Sequence, residues 1–315
     1  MTHLIPHHAG IDISKDHLDV HVAPVEQARR FDNTPAGWRA LAKWLSTFTP
    51  ERIVYESTGP YHQGMERALA SRSLPIVRVN ARRVRSFADA IGTTAKTDRI
   101  DARTLARFGA MVSPDVTELN SELIEELKEL EVARQALVKA RTALANRQKH
   151  LTSTLLKRQA KATRTLIDRQ IAELDTAAGK LIADDEAVSR RFAILCSIPG
   201  IAATTARSLI VLMPELGRLD EKQAASLAGL APITRESGTW RGKRFCQGGR
   251  AKLRQAIYMP ALVAMRFNAD LKATYQALVT RGKPAKVAIT ALMRKLIVLA
   301  NALLRDDRKW SPIAP

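Results

Sequence analysis

A chain of 315 residues is long enough for two domains, and a hydrophobic content of 46% is that of a globular protein, which excludes a disordered one. Its 50 Lys and Arg stand against 31 Asp and Glu, a formal net charge of +19 with a pI near 10.4. That excess favours a polyanionic partner, nucleic acid before any other.

Ala9–Ser14 is a short apolar strand carrying one acid, Asp12, and His17–Val22 resumes with strict alternation, so the pair reads as a β-hairpin. Ala36–Phe48 has helical spacing after Pro35, a good first helical residue. Arg52–Glu56 is a third strand, ending on an acid before the turn Ser57-Thr58-Gly59-Pro60. A helix over Tyr61–Ser71, a strand over Pro75–Val79 and a basic helix around Arg82, Arg83 and Arg85 follow. The next helix opens at Lys96-Thr97-Asp98-Arg99-Ile100-Asp101-Ala102-Arg103, whose acids stand three apart and share one helical face. Taken alone, these are first-turn acids behind a Thr97 cap. The β-β-α-β-α-β-α order predicts an α/β sandwich on a mixed sheet.

Asp12 inside an apolar strand is either solvent-facing or a buried carboxylate that needs a cation. Glu56 ends a strand before a glycine turn, where open α/β sheets hold ligands. Clustered carboxylates repel unless a cation offsets them, and oxygen ligands of this kind suit Mg²⁺ or Mn²⁺. In a basic protein such a cluster points to metal-assisted phosphodiester chemistry. The stretches Gly10-Ile11-Asp12-Ile13-Ser14-Lys15, Tyr55-Glu56-Ser57-Thr58-Gly59-Pro60-Tyr61 and Lys96–Arg103 resemble the motifs of the DEDD transposases of the insertion sequence 110 family. In those proteins this domain is similar to the RuvC Holliday-junction resolvase and has an RNase H-like fold. The resemblance implies that Asp12, Glu56, Asp98 and Asp101 are the catalytic, metal-holding tetrad.

From Leu119 glycine disappears until Gly179, and Leu123, Leu130, Leu137, Leu144 and Leu151 recur every seven residues, a coiled-coil pattern. Arg134 and Arg141 fall beside that seam, which suggests a side meeting solvent or phosphate. A second stripe, Ile167, Ile171, Leu174, Ala178 and Leu181, can return antiparallel within the chain. Pairing with a second protomer is the rival; in the resembled family a coiled coil links the domains and contributes to oligomers, which favours a dimer or tetramer.

Ser197–Ala206 resembles a helix-hairpin-helix turn, with Ala202 where a second glycine is usual. Of the twenty residues Arg235–Arg254, seven are Lys or Arg, four are Gly and one is acidic, so the segment suits a phosphate backbone better than a core. Trp240 and Phe245 interleave with those charges and can stack on bases. Cys196 and Cys246 have neither a CxxC partner nor a nearby His pair, which argues against zinc and for a reduced, cytoplasmic protein. No apolar segment opens the chain, and Ile289–Leu304 is interrupted by Arg294 and Lys295, so no membrane partner is expected.

Arg235-Glu236-Ser237-Gly238-Thr239-Trp240-Arg241-Gly242-Lys243 is similar to the serine motif of the same transposases, and the resemblance implies that Ser237 is the nucleophile that carries a phosphoserine intermediate. It further implies a structured guide RNA beside element and target DNA as partners. The expected architecture is α/β plus α: a RuvC-like domain over residues 1–115, a coiled-coil or helical-hairpin connector over 116–185, and a mainly helical transposase domain over 186–315. Arg82, Arg83, Lys96, Trp240, Arg241, Lys243, Arg244 and Arg250 are the expected nucleic-acid contacts. The rivals are a water-using RuvC-like nuclease or resolvase, and a non-catalytic nucleic-acid-binding protein with structural acids.

Overall fold

A computed structural model of the chain describes residues 6–57, 59, 61–93 and 98–312, with the backbone alone for 98–100. It divides into two units, residues 1–119 and 120–315.

The first unit runs β1 (His8–Ile13), β2 (His17–Ala23), β3 (Gln27–Asp32), α1 (Pro35–Ser46), β4 (Arg52–Glu56), α2 (Gln63–Ala70), β5 (Ile76–Val79), α3 (Ala81–Ala90) and α4 (Asp98–Val112). The sheet order is β3-β2-β1-β4-β5; β1 pairs antiparallel with β2 and parallel with β4. This is a five-stranded mixed sheet with a core on each face. Alternation sends Ala9, Ile11 and Ile13 to one face, against Leu41 and Leu45 of α1 and Met65 and Leu69 of α2. Val54 and Val77 face the other way, against Val84 of α3 and Leu105 and Phe108 of α4. Thr34 caps α1 through the Gly37 N–H, ahead of Pro35.

Strand β3 is absent from the sequence reading. Its residues Gln-Ala-Arg-Arg-Phe-Asp bury only Phe31, so an edge strand held by backbone pairing to β2 leaves no apolar pattern to read.

The second unit is helical: α5 (Glu122–Gln148), α6 (Thr154–Asp184), α7 (Glu186–Cys196), α8 (Ala203–Leu212) and α9 (Glu221–Leu227) precede four two-residue strands. These are β6 (Pro232–Ile233), β7 (Glu236–Ser237), β8 (Trp240–Arg241) and β9 (Phe245–Cys246). Helices α10 (Ala251–Phe267), α11 (Ala269–Thr280) and α12 (Ala285–Arg305) complete it. Helix α12 is long and apolar enough to cross a membrane, but its Leu292, Leu296, Ile297 and Ala300 are buried in this unit's core.

Helices α5 and α6 pair with each other. Arg134 Nε donates to Asp175 at 2.7 Å and Arg141 Nη1 to Asp168 at 3.0 Å, so a step of seven up α5 is a step of seven back along α6, an antiparallel hairpin. Ile167, Ile171 and Ala178 of the expected second stripe are buried. The two arginines expected to meet solvent or phosphate instead close ion pairs across the hairpin. The helices expected as a separate connector pack as part of the second unit, with Leu127, Ala178 and Ile182 in its core.

A buried polar cluster roots the hairpin on α8. Glu131, 2% exposed, accepts from Arg207 Nε at 3.1 Å and from the Ser208 hydroxyl at 2.8 Å, while Arg207 and Arg134 both donate to Asp175. Burial raises the pKa of Asp175, but those two guanidinium groups outweigh it and hold the carboxyl below its usual range. A buried charge is tolerated only when paired and hydrogen-bonded in this way.

Candidate carboxylate site and serine hairpin

Gly10 sets the geometry of the carboxylate face. A Cβ there would lie 2.0 Å from the Ala102 carbonyl oxygen and 2.4 Å from the Ala106 nitrogen, so the backbone of α4 rests directly on β1. At Gly109 a Cβ would meet Val54 at 2.8 Å and Arg52 and His8 at 3.8 Å, near the starts of β4 and β1. Helix α4 therefore runs antiparallel to both strands, and its N-terminal turn lies at their C-terminal ends. From Gly10 to Asp12 a strand advances about 6.6 Å. About four helical residues cover the same distance, which brings the backbone of residues 98–101 level with Asp12.

Asp12 shares the face of Gly10, and Glu56 shares that of Val54, by the strand period of two. Because Ile11 pairs with Tyr55 on parallel strands, Asp12 and Glu56 are neighbours at the sheet's C-terminal edge. The fold thus brings the backbones of Asp12, Glu56, Asp98 and Asp101 to one end of one face. Asp12 and Asp101 are both half-buried. The side chain of Asp98 lies outside the described residues, as do Lys96 and the Thr97 cap. Among the described residues no three His, Cys, Asp or Glu side chains form a metal-sized group. The donor set, hard carboxylate oxygens on strand ends and a helix start, fits a divalent cation of the Mg²⁺ or Mn²⁺ type.

Two features, one on each face of the sheet, escape sequence reasoning. Asp19 pairs directly with Asp12 across β1 and β2, on the same face; its charge is met by Arg30 of β3, whose Nε and Nη2 donate at 3.0 and 2.8 Å. Without Arg30, two acids facing each other across a ladder would destabilise it. Behind Glu56, on the opposite face, Tyr55 donates its hydroxyl to the buried Glu66, which also accepts from Arg78. Burial and the Glu66 carboxylate push the Tyr55 phenol well above its ordinary pKa. This network anchors the last residue before Glu56. Its one sequence signal is an acid on the buried side of α2, between Met65 and Leu69.

In the second unit, Ser237 pairs with Trp240 and Glu236 with Arg241, closing a hairpin whose two-residue turn is Gly238-Thr239. Gly238 has φ 55°, while Thr239 is not among the positive-φ residues, as in a type II′ turn with glycine first. The turn leaves Ser237, Arg241, Lys243 and Arg244 exposed, and Trp240 is 59% exposed. Arg244 Nη2 lies 3.7 Å from Glu236 Oε1, and Arg235 stacks over Phe245 at 4.7 Å.

Comparison with known proteins places the chain. The profile of the DEDD transposases of IS110 matches residues 9–156, and that of the transposase IS116/IS110/IS902 family matches residues 192–276. Pilin gene-inverting proteins of Moraxella bovis and Moraxella lacunata are each 30% identical over 316 residues, covering 96% of this chain and 96% of theirs. The chain belongs to the IS110 family of transposases. An IS110 protein of Streptomyces coelicolor is 32% identical over 39% of this chain and 31% of its own. The RuvC of T. thermophilus, solved with a Holliday-junction substrate, aligns with 34% of the chain at 16% identity and a TM-score of 0.27, a likeness too slight to build on.

The remaining expected contacts of this DNA transposase divide. Arg82 and Arg83 are exposed on α3, Arg83 over the Phe108 ring at 5.7 Å. Arg250 departs from expectation: its guanidinium holds both Glu215 oxygens, at 2.8 and 2.6 Å, and the Leu212 carbonyl at 2.7 Å. It closes the C-terminus of α8, a structural task. Burial raises Glu215, but the hydrogen bonds and charge of Arg250 prevail and hold it below the usual carboxylate range. In the helix-hairpin-helix-like turn, a Cβ at Gly200 would lie 2.7 Å from the Pro260 carbonyl, so close approach to α10 accounts for that glycine. Both thiols are free, and burial raises that of Cys196.

Proposed function

We propose that the two units serve one metal-dependent transesterification on DNA. Asp12, Glu56, Asp98 and Asp101 are the residues that would hold the cation, Mg²⁺ or Mn²⁺. When bound, such an ion stabilises negative charge on a phosphate and on a departing oxygen. Ser237 Oγ attacks the scissile phosphorus and loses its proton to solvent. The bond to the 3′ oxygen breaks, that oxygen takes up a proton, and the 5′ phosphate remains on Ser237. Arg241, Lys243 and Arg244 neutralise phosphate charge around the hydroxyl. The phosphoserine keeps the phosphodiester energy, so a second strand's 3′ hydroxyl reseals the backbone without ATP.

The observation that carries this reading is the backbone convergence of β1, β4 and the first turn of α4, which brings four separated acids to one end of one sheet face. End-to-end similarity to pilin gene-inverting proteins supports a reaction that cuts and rejoins strands without loss. Guidance by a structured, element-encoded RNA and assembly as a homo-oligomer belong to the same reading, as the family resemblance implies.

The test is incubation of the full chain with element-end DNA, Mg²⁺ and co-purified RNA, followed by a denaturing gel. The wild type is expected to leave a protein–DNA adduct that Ser237→Ala and chelator abolish, with strand joining down roughly 10³-fold or more. Cutting that persists in Ser237→Ala with no adduct would replace this reading by the water-using nuclease. Activity unaffected by Asp12→Asn would remove the acids from the chemistry.

A further inference from the structure

The α5–α6 hairpin is charge-polarised. Its far half, residues 139–169, holds nine Lys or Arg and a single acid, Asp168. Its near half is acidic: Glu122, Glu125, Glu126, Glu129 and Glu131 on α5, and Glu173, Asp175 and Asp184 on α6. Half of the near-half acids are engaged, Glu131 and Asp175 with Arg207 and Arg134, Glu125 with Lys128 and Glu173 with Arg169. The far half is different. Asp168 takes Arg141 at 3.0 Å and Arg164 at 3.8 Å, and Arg169 turns to Glu173 at 3.5 Å. Lys139, Arg147, Lys157, Arg158 and Lys161 are exposed and make no ion pair among the described residues.

A second observation falls at the same place. Helix α6 begins in the turn at the hairpin's end, and its N-cap residue Ser153 makes no side-chain capping bond. The first turn holds no acid, and Lys157 and Arg158 follow at once. Helix α5, by contrast, starts with a bonded Ser121 cap and with Glu122 and Glu125 in its first turn. A helix N-terminus carries partial positive charge and unsatisfied N–H groups, so lysines beside it are of the wrong sign unless an anion is present.

We propose that the tip of this hairpin is a docking surface for the phosphate backbone of duplex DNA, centred on Lys157, Arg158, Lys161 and the start of α6, with Lys139 and Arg147 contributing from α5. The proposal goes beyond the chemistry above and shares with it only the premise of a nucleic-acid substrate. Lys157 and Lys161 stand one helical turn apart and rise along one flank of α6, so an extended polyanion can run beside them. Two identical tips meeting each other would face like charges, which disfavours a second copy as the occupant. The chain belongs to a family of DNA transposases, which makes duplex DNA the occupant; the contact is with phosphates and selects no sequence.

Fluorescence anisotropy of the full chain with a labelled duplex DNA and, separately, a labelled RNA hairpin decides it, across a salt series and in chelator. Chelator removes metal chemistry from the measurement, so a failure at Ser237 or the acids leaves this outcome untouched. The triple variant Lys157→Gln/Arg158→Gln/Lys161→Gln is expected to bind the duplex about tenfold or more weakly, and to lose more on the duplex than on the RNA hairpin. Its slope of log affinity against log salt should be shallower by roughly 2–3 for duplex DNA. A loss confined to the RNA hairpin would overturn duplex DNA as the occupant. A control variant, Lys180→Gln/Lys286→Gln/Lys309→Gln, removes the same charge from scattered exposed sites and is expected to change both probes less than threefold. Equal losses in the two variants would mean that only net charge matters and would overturn the proposal. So would unchanged binding in the tip variant, or a change confined to its sedimentation, which would make the tip a protein contact.

Discussion

The carboxylate face and the serine hairpin present functional groups in opposite ways. Asp12, Glu56 and Asp101 sit on regular elements whose places are set by backbone pairing and by the close approach of α4 to Gly10. Ser237 sits on a pair of two-residue strands, exposed, next to a turn that glycine alone makes easy. The first arrangement is rigid because its groups share a core; the second takes little from any core. A site that must hold repelling acids at fixed spacing needs the former, and a nucleophile that must reach a phosphate tolerates the latter.

That contrast can be broken by substitution. The largest effect on stability is expected away from both sites, at the hairpin root: Arg207→Leu leaves the buried Glu131 without its cation and should cost about 3–5 kcal/mol in urea unfolding. Gly10→Ala comes next. Its methyl meets backbone atoms that cannot rotate away, so about 3 kcal/mol and most strand joining should be lost together. If Gly10→Ala kept full activity, the account of α4 as the element that aligns Asp98 and Asp101 with Asp12 would fall. In the serine hairpin the two properties should separate. Trp240→Ala is expected to move stability by less than about 0.5 kcal/mol while weakening single-stranded DNA binding, measured by anisotropy, by a stacking interaction worth roughly 1–3 kcal/mol.

The smallest effect is acid sensitivity. Glu215 and Asp175 have carboxyl pKa values lowered in the folded chain. A lowered folded value gives stability that is present above the unfolded pKa and lost as pH falls through the folded one. Thermal stability of the second unit should therefore decline below the ordinary carboxylate range. Glu215→Gln should flatten part of that decline, by less than about 1 kcal/mol because the Glu215–Arg250 pair is partly solvated.

Much of this was legible in the residues. Strands β1, β2 and β4 announced themselves by alternation and apolar runs, Asp12 by interrupting one such run and Glu56 by ending another. Strand β3 did not, because its pairing is made by backbone groups and only Phe31 turns inward. The heptad leucines marked a coiled-coil seam, yet not whether its partner lay within the chain; Arg134 and Arg141 read as a side meeting solvent or phosphate, and Asp175 and Asp168 stand opposite them. Arg250 read as another basic loop residue, although Glu215, thirty-five positions earlier, holds it.

By itself, the sequence determined which groups exist: two acids in apolar strand segments and two in the first turn of a helix, a serine before a glycine turn, and an excess of positive charge gathered in two stretches. Only the tertiary structure decided which of them meet. The parallel pairing of β1 with β4 and the reversed run of α4 across them bring residues 12, 56 and 98–101 to one edge. Contacts between residues so far apart depend on strand order and helix direction, which no local pattern encodes. The same holds for charge: an arginine's count is written in the chain, but whether a carboxylate faces it is settled by the fold.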